Sequence, residues 1–256
     1  MSGTVVQVYE IQTPDEAEAM LGLGVDHVGS VITSLDNGYN PVIRQTIATV
    51  RKMGATSSLI PLLTEPDAVF DILDYYQPNI VHFCDRLDGN DGSVEAALAL
   101  QAAVKVRFSE IQIMRSIPIG RTAGTTREAV FALAARLEPL SDYFLTDTLI
   151  VDPLGAAHGD QPVKGFVGIT GLTCDWGVAA QLTARSRIPV ILAGGIAPEN
   201  VAEGIRQVRP FGVDSCTCTN ALDANGRPIR FKKDPARVEA LVAETRRADN
   251  QTLDAW

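Results

Sequence analysis

PVILAGGIAPENVAEGI (residues 189–205) is a short run of β-branched and aliphatic residues, a pair of glycines, and a polar turn opening onto apolar positions spaced three and four apart. Such a stretch reads as one strand–turn–helix unit, because the apolar period changes from that of a buried strand to that of a helix at Gly194-Gly195. The same alternation extends outward over the whole chain. Strand-like runs stand near residues 5–10, 25–32, 56–63, 79–84, 110–117, 142–147, 189–194 and 212–217, with helical periods at 14–23, 41–53, 66–76, 93–105, 125–139, 176–187, 198–207 and 235–247. Helix starts carry their own marks: Thr13-Pro14-Asp15-Glu16, Glu65-Pro66-Asp67, Pro198-Glu199-Asn200 and Asp234-Pro235 put proline or acid where first-turn amides lack partners. Eight such units over 256 residues, about 32 each, most simply close into a single (β/α)8 TIM barrel spanning 1–247, with a polar C-terminal tail at 248–256. A doubly wound open sheet is the competitor, and it lacks the GxGxxG turn expected after the first strand.

Composition limits what such a domain can do. With 46% hydrophobic residues the chain can bury a large core, and 22 basic against 31 acidic residues give a net charge of −9. That charge disfavours nucleic acid or an anionic membrane surface as the main partner, so any anion must be held locally. No apolar run approaches the ~20 residues of a membrane span, and the opening MSGTVVQVYEIQTPDE has no basic start or long apolar core. A cytoplasmic protein is expected, with Cys84, Cys174, Cys216 and Cys218 as thiols.

On a barrel, chemistry belongs at the C-terminal strand ends. There Gly194 and Gly195 let a ligand approach the backbone and can turn their amides toward phosphate oxygens. The following strand, Gly212-Val213-Asp214-Ser215-Cys216-Thr217, adds small hydroxyl groups beside them. Together they predict a cup for a phosphorylated small molecule, formed by Gly194, Gly195, Ser215, Cys216 and Thr217. A tight turn in which glycine only relieves strain is the plainer alternative.

FLTDT (144–148), GITGLTCDW (168–176), LAGGIAPENVAEGIRQVRPFGVD (192–214) and FKKDPARVEALV (231–242) resemble, in order and spacing, the motifs of the phosphoribosylanthranilate isomerase family. Earlier segments resemble it more patchily, through IQTPDEAEAMLGLGVDHVGSVI and QPNIVHFC. The resemblance implies an aldose–ketose isomerase of tryptophan biosynthesis that performs an Amadori rearrangement without a cofactor. It places the general acid at Asp147; Arg115, read at the end of strand five, either pairs with the substrate carboxylate or simply matches an arginine the family often has there. Gly168 and Gly171 in the GITG stretch suit a loop that folds over the ligand.

Three departures stand out. The family's base cysteine falls on Tyr9, a phenol that accepts protons poorly at neutral pH unless a cation stabilises it, and that is either the candidate catalytic base or packing over the barrel mouth; Glu10 follows but should face the other way along a regular strand. The second loop, Ser34 to Pro41, has Asp36 and no arginine for the anthranilate carboxylate. Strand four ends His82-Phe83-Cys84-Asp85-Arg86, offering Asp85 as an alternative base or as half of a loop ion pair. Cys216-Thr217-Cys218 lacks a third ligand, so no metal is expected. His27, His82 and His158 read as structural groups, Asp175 as a helix cap, and the Asp152–Lys164 insertion as length for a lid. A homodimer is compatible with all of this. The competing reading is a non-catalytic or altered-substrate barrel that keeps the phosphate site, while an aldolase or epimerase would need a lysine or metal at a strand end.

Overall fold

In a computed structural model, which describes residues 3–34, 38–87, 91–121, 127–150 and 163–253, eight parallel strands close on themselves. They are β1 (Val5–Val8), β2 (His27–Ile32), β3 (Thr56–Pro61), β4 (Ile80–Phe83), β5 (Gln112–Gly120), β6 (Tyr143–Leu149), β7 (Val190–Leu192) and β8 (Gly212–Ser215). Closure is made by β1 on β8, where Gln7 lies opposite Asp214 and Val8 opposite Ser215. Each strand is followed by a helix on the outside: α1 (Pro14–Gly22), α2 (Pro41–Lys52), α3 (Pro66–Tyr76), α4 (Asp91–Arg107), α5 (Arg127–Leu137), α6 (Trp176–Arg185), α7 (Val201–Val208) and α8 (Pro235–Leu253). The chain is thus a (β/α)8 barrel, as its periodicity predicts.

Local chemistry sets the helix starts. Thr13 accepts a hydrogen bond from the Glu16 amide, Asn40 from Val42 and Ile43, and Asp175 from Gly177 and Val178, each satisfying amides that a first turn leaves bare. On α7, Val201, Ile205 and Val208 form one buried stripe against the barrel, each worth roughly 1.5–3 kcal/mol of transfer free energy. That helix begins three residues later than its proline suggests: Asn200 accepts from the Ala197 amide and donates to the Gly195 carbonyl, so Pro198-Glu199-Asn200 forms a turn braced on the glycine pair.

Two features depart from the sequence reading. The residues after Arg247 are not a tail as far as Leu253, because α8 continues through them. Ala248 is buried, and the Asp249 carboxylate accepts from the Thr4 amide at 2.9 Å and from the Thr4 hydroxyl, tying the last helix to the start of β1. Between β8 and α8 stands an unforeseen antiparallel hairpin, β9 (Asn220–Leu222) and β10 (Pro228–Lys233). Its turn, Asp223-Ala224-Asn225-Gly226, is held by the Asp223 carboxylate accepting from the Asn225 and Arg227 amides. The Asn225-Gly226 pair was the available signal for it.

Candidate active site

Strand parity decides what enters the barrel. On β6, Leu145 and Asp147 face inward while Thr146 and Thr148 face the neighbouring loops, donating to the carbonyls of Ala193 and Leu172. A cavity of about 770 Å³, counting its solvent-filled mouth, opens above this inner layer. Its size suits a small phosphorylated molecule. Asp147, Asp214, Gly171, Gly194, Gly195, Cys216 and Thr217 all line it.

At one end lie the glycines. Gly195 has φ of 60°, and a Cβ there would come within 2.6 Å of the Leu172 carbonyl carbon and 2.7 Å of the Thr173 amide, so the 168–173 loop can close over it only when no side chain is present. Among the described residues, the amides of Gly194 and Gly195 have no hydrogen-bond partner. Two free amides beside a cavity are what a phosphoryl group needs. Ser215 does not join them: it stands on the outward face of β8 and donates to the Ile196 carbonyl at 2.7 Å, so the expected cup loses that hydroxyl to the support of its own loop.

The Asp147 carboxyl sits above Leu145, 9% exposed, with one oxygen accepting from the Thr148 amide at 2.9 Å. Burial pushes its pKa up to about 7, against which the Thr148 hydrogen bond works. The 168–171 loop covers it closely: a Cβ on Gly168, at φ of 103°, would meet its oxygen at 2.5 Å. A carboxyl that titrates near neutral pH therefore faces the cavity.

Tyr9 lines the cavity, at the position where the sequence places a candidate base. Its hydroxyl is hydrogen-bonded to Ser58 and to His82 Nδ1, its ring packs on Gly29, and it is 3% exposed. Burial, with the Asp214 charge next, drives its pKa well above that of an ordinary phenol. The phenol closes the cavity floor, where burial favours its protonated form. Burial also lowers His82 to about 3, and its Nε2 reaches Ser116 at 2.9 Å, so a neutral imidazole extends the same chain of hydrogen bonds. His27 is likewise held neutral by burial, near 4, against Gln7.

Arg115 is corrected too. It lies mid-strand, not at the end of β5, with Met114 and Ser116 turned inward on either side. Its own side chain passes outward between sheet and α4, fully buried, donating to Gln101 Oε1 at 2.8 Å and pairing with Asp85. Neither Arg115 nor Asp85 faces the cavity, and Asp85 is an ion-pair partner and not a base. Glu10 does leave the pleat, at φ of 65°, but its carboxylate accepts from Arg230, Asn220 and the Phe231 amide. Burial raises its pKa, and the Phe231 hydrogen bond with the Arg230 and Lys233 charges outweighs that, so it stays ionised as the anchor of the β9–β10 hairpin. Burial lifts the thiols of Cys84 and Cys216 far above the usual range.

The residue that sequence reasoning passed over is Asp214. It sits inward on β8, 7% exposed, beside Cys216 at the cavity wall, and accepts from Gln7 Nε2 at 3.1 Å. Burial raises its pKa to about 7; the Gln7 hydrogen bond opposes this, the Asp147 charge adds to it, and Lys233 lowers it. Its position, a carboxylate at inward parity on a strand end, was legible beside the hydroxyl residues that drew attention. Lys233 donates from its ammonium to the Cys216 backbone carbonyl and to Asn220 Oδ1 and is spoken for. Asp36 and His158 lie outside the described residues, as does the insertion up to residue 162; after it, Gly165 and Val167 pair with Arg86 and Cys84 and close one wall.

Residues 113–218 match the family model for N-(5'phosphoribosyl)anthranilate (PRA) isomerase. An N-(5'-phosphoribosyl)anthranilate isomerase of Methanosarcina acetivorans is 25% identical over 249 residues, 95% of this chain and 93% of its own. The fold is shared with the phosphoribosyl anthranilate isomerase of Thermotoga maritima at a TM-score of 0.65 and 19% identity, covering 95% of this chain and 98% of that one. It is shared equally, at 0.65 and 19% over the same fractions, with such an isomerase solved in complex with reduced 1-(o-carboxyphenylamino)-1-deoxyribulose 5-phosphate. Along nearly its whole length this chain is thus similar to N-(5'-phosphoribosyl)anthranilate isomerases, and it shares the barrel fold of those whose structures are solved.

Proposed function

We propose that the protein is an aldose–ketose isomerase that performs an Amadori rearrangement of an N-(5-phosphoribosyl) aromatic amine, with phosphoribosylanthranilate as its substrate. The observation that carries this is the buried Asp147 carboxyl, its pKa raised to about 7, in the same cavity as the free amides of Gly194 and Gly195. The phosphoryl group lies against those amides, with Gly171 and Thr217 completing the cup and the short turn at Thr217–Thr219 presenting its start to the anion. The ribose then reaches the cavity centre, where Asp147 donates its proton to the ring oxygen as the C1–O bond breaks and the nitrogen lone pair forms C1=N. Removal of the C2 proton gives the enolamine, which ketonises by losing the O2 proton and gaining one at C1. The steps sum to an isomerisation, with no oxidant or reductant consumed.

The aryl ring is expected against the apolar wall of Val31, Ile60, Leu62 and Phe166. Among the described residues no helix is long and apolar enough to cross a membrane. Conversion of phosphoribosylanthranilate, followed by its fluorescence, tests the reading. Turnover is expected in the wild type, and Asp147→Asn should lower kcat by about 10²–10⁴-fold. Absence of turnover at high enzyme concentration, or an unimpaired Asp147→Asn, would overturn it.

A further inference from the structure

With the Tyr9 hydroxyl buried and hydrogen-bonded to Ser58 and His82, the rearrangement needs another proton acceptor, and the cavity supplies few candidates. The thiols of Cys84 and Cys216 are held protonated by burial, His82 has both ring nitrogens engaged, and the Glu10 carboxylate is bonded on three sides to the β9–β10 hairpin. Among the described residues that line the cavity, this leaves one carboxylate besides Asp147.

We propose that Asp214 is the catalytic base of this chain, taking the C2 proton of the ring-opened substrate in place of the thiol that its relatives' motif supplies from strand one. The inference rests on the isomerase reading above. Asp214 projects inward from β8, next in the barrel to β1 and directly opposite Gln7 in register, so it stands beside the strand whose end carries Tyr9. Two and three residues on from it, Cys216 and Thr217 already belong to the cavity wall that takes the phosphoryl group. A carboxylate there and a carboxyl on β6 act on one small molecule from two sides, one giving a proton and one receiving it.

Positioning is built in. His27 Nδ1 contacts Gln7 Oε1 at 3.3 Å, which orients the Gln7 amide so that its Nε2 donates to Asp214 Oδ1 at 3.1 Å. One carboxylate oxygen is thereby fixed and the other left for substrate. The charged and titratable groups facing it are Asp147 from β6, Lys233 from β10, and Tyr9 and Cys216 at the floor and wall. In the reaction the C2–H bond breaks, its proton passes to the Asp214 carboxylate, its electron pair forms C1=C2, and the C1=N pair returns to nitrogen. The protonated Asp214 then gives its proton back as C1 is protonated, and solvent restores the Asp147 proton.

The test compares wild type, Asp214→Asn, Asp214→Glu and Asp147→Asn in kcat and KM from pH 5 to 9, with thermal unfolding of each. Asparagine keeps the acceptor for Gln7, so folding is retained. Expected are a loss of at least about 10²-fold in kcat for Asp214→Asn with KM changed less than about threefold, and disappearance of the acidic limb of the wild-type pH profile. Asp214→Glu should recover part of kcat, and with substrate deuterated at C2 the primary isotope effect on kcat should rise in Asp214→Asn. A wild type that turns over while Asp214→Asn stays within about fivefold and keeps its acidic limb would overturn this assignment alone. A wild type without turnover would overturn the isomerase reading and this assignment with it.

Discussion

Two buried carboxyls in one cavity have a cost that can be measured apart from activity. Asp147 and Asp214 each have a folded pKa raised from 3.8 to about 7, chiefly by burial. The unfolded chain therefore ionises them first as pH rises above about 4, and the folded state loses stability relative to it until both are ionised above about 7. Replacing either by asparagine is expected to raise stability at pH 8 by about 1–3 kcal/mol and to change little at pH 3, checked by urea unfolding at the two values. A greater loss at pH 8 than at pH 3 would contradict the raised values. Tyr9→Phe separates floor from base in another way. It removes one hydroxyl from the Ser58–His82 chain, costing about 1 kcal/mol, and should leave kcat within about fivefold. A hundredfold fall would restore the phenol to the chemistry.

Elements, more than residues, explain why the first strand changed character. At the end of β1, Glu10 holds the β9–β10 hairpin through Arg230, Asn220 and the Phe231 amide. Its folded pKa is depressed, so its contribution is present above the unfolded value near 4.5 and lost as pH falls through the folded one. Glu10→Gln should therefore destabilise by about 1–2 kcal/mol at pH 7, discounted because Arg230 is a third exposed, and by much less at pH 3. Hydrogen exchange of the Phe231 amide reports whether the loss falls on the hairpin. The βα loop after β7 makes a sharper demand. Gly195→Ala forces a Cβ onto the Leu172–Thr173 backbone, and a tenfold or greater loss of affinity for inorganic phosphate is expected by calorimetry.

Barrel closure depends on the two ends of the described chain meeting. Thr4, just before β1, is held by Asp249 on α8, and Arg246 on the same helix reaches the Thr4 carbonyl and Asp26. Truncation after Arg247 should then lower Tm by several degrees, since loss of about 1–2 kcal/mol moves a domain of this size by roughly 2–4 °C per kcal/mol. An unchanged Tm would show that the last turns of α8 contribute nothing to closure.

Periodicity alone determined the eight βα units, their order and so the barrel, because alternating burial of strands and helices leaves its mark residue by residue. The glycine pair at Gly194-Gly195 and the acid at Asp147 were legible for the same reason: a sharp βα turn and a strand-end carboxylate are local features. The β9–β10 hairpin was missed although Asn225-Gly226 marked its turn, because its strands alternate weakly and lie half exposed. What only the tertiary structure decided was the direction and ionisation of side chains. Arg115 and Ser215 turn away from the cavity, Glu10 is claimed by a distant hairpin, and Tyr9 is sealed against His82 and Ser58. Asp214 alone on β8 turns its carboxylate inward. Desolvation and pairing depend on neighbours tens to hundreds of residues away, and no local stretch of sequence carries them.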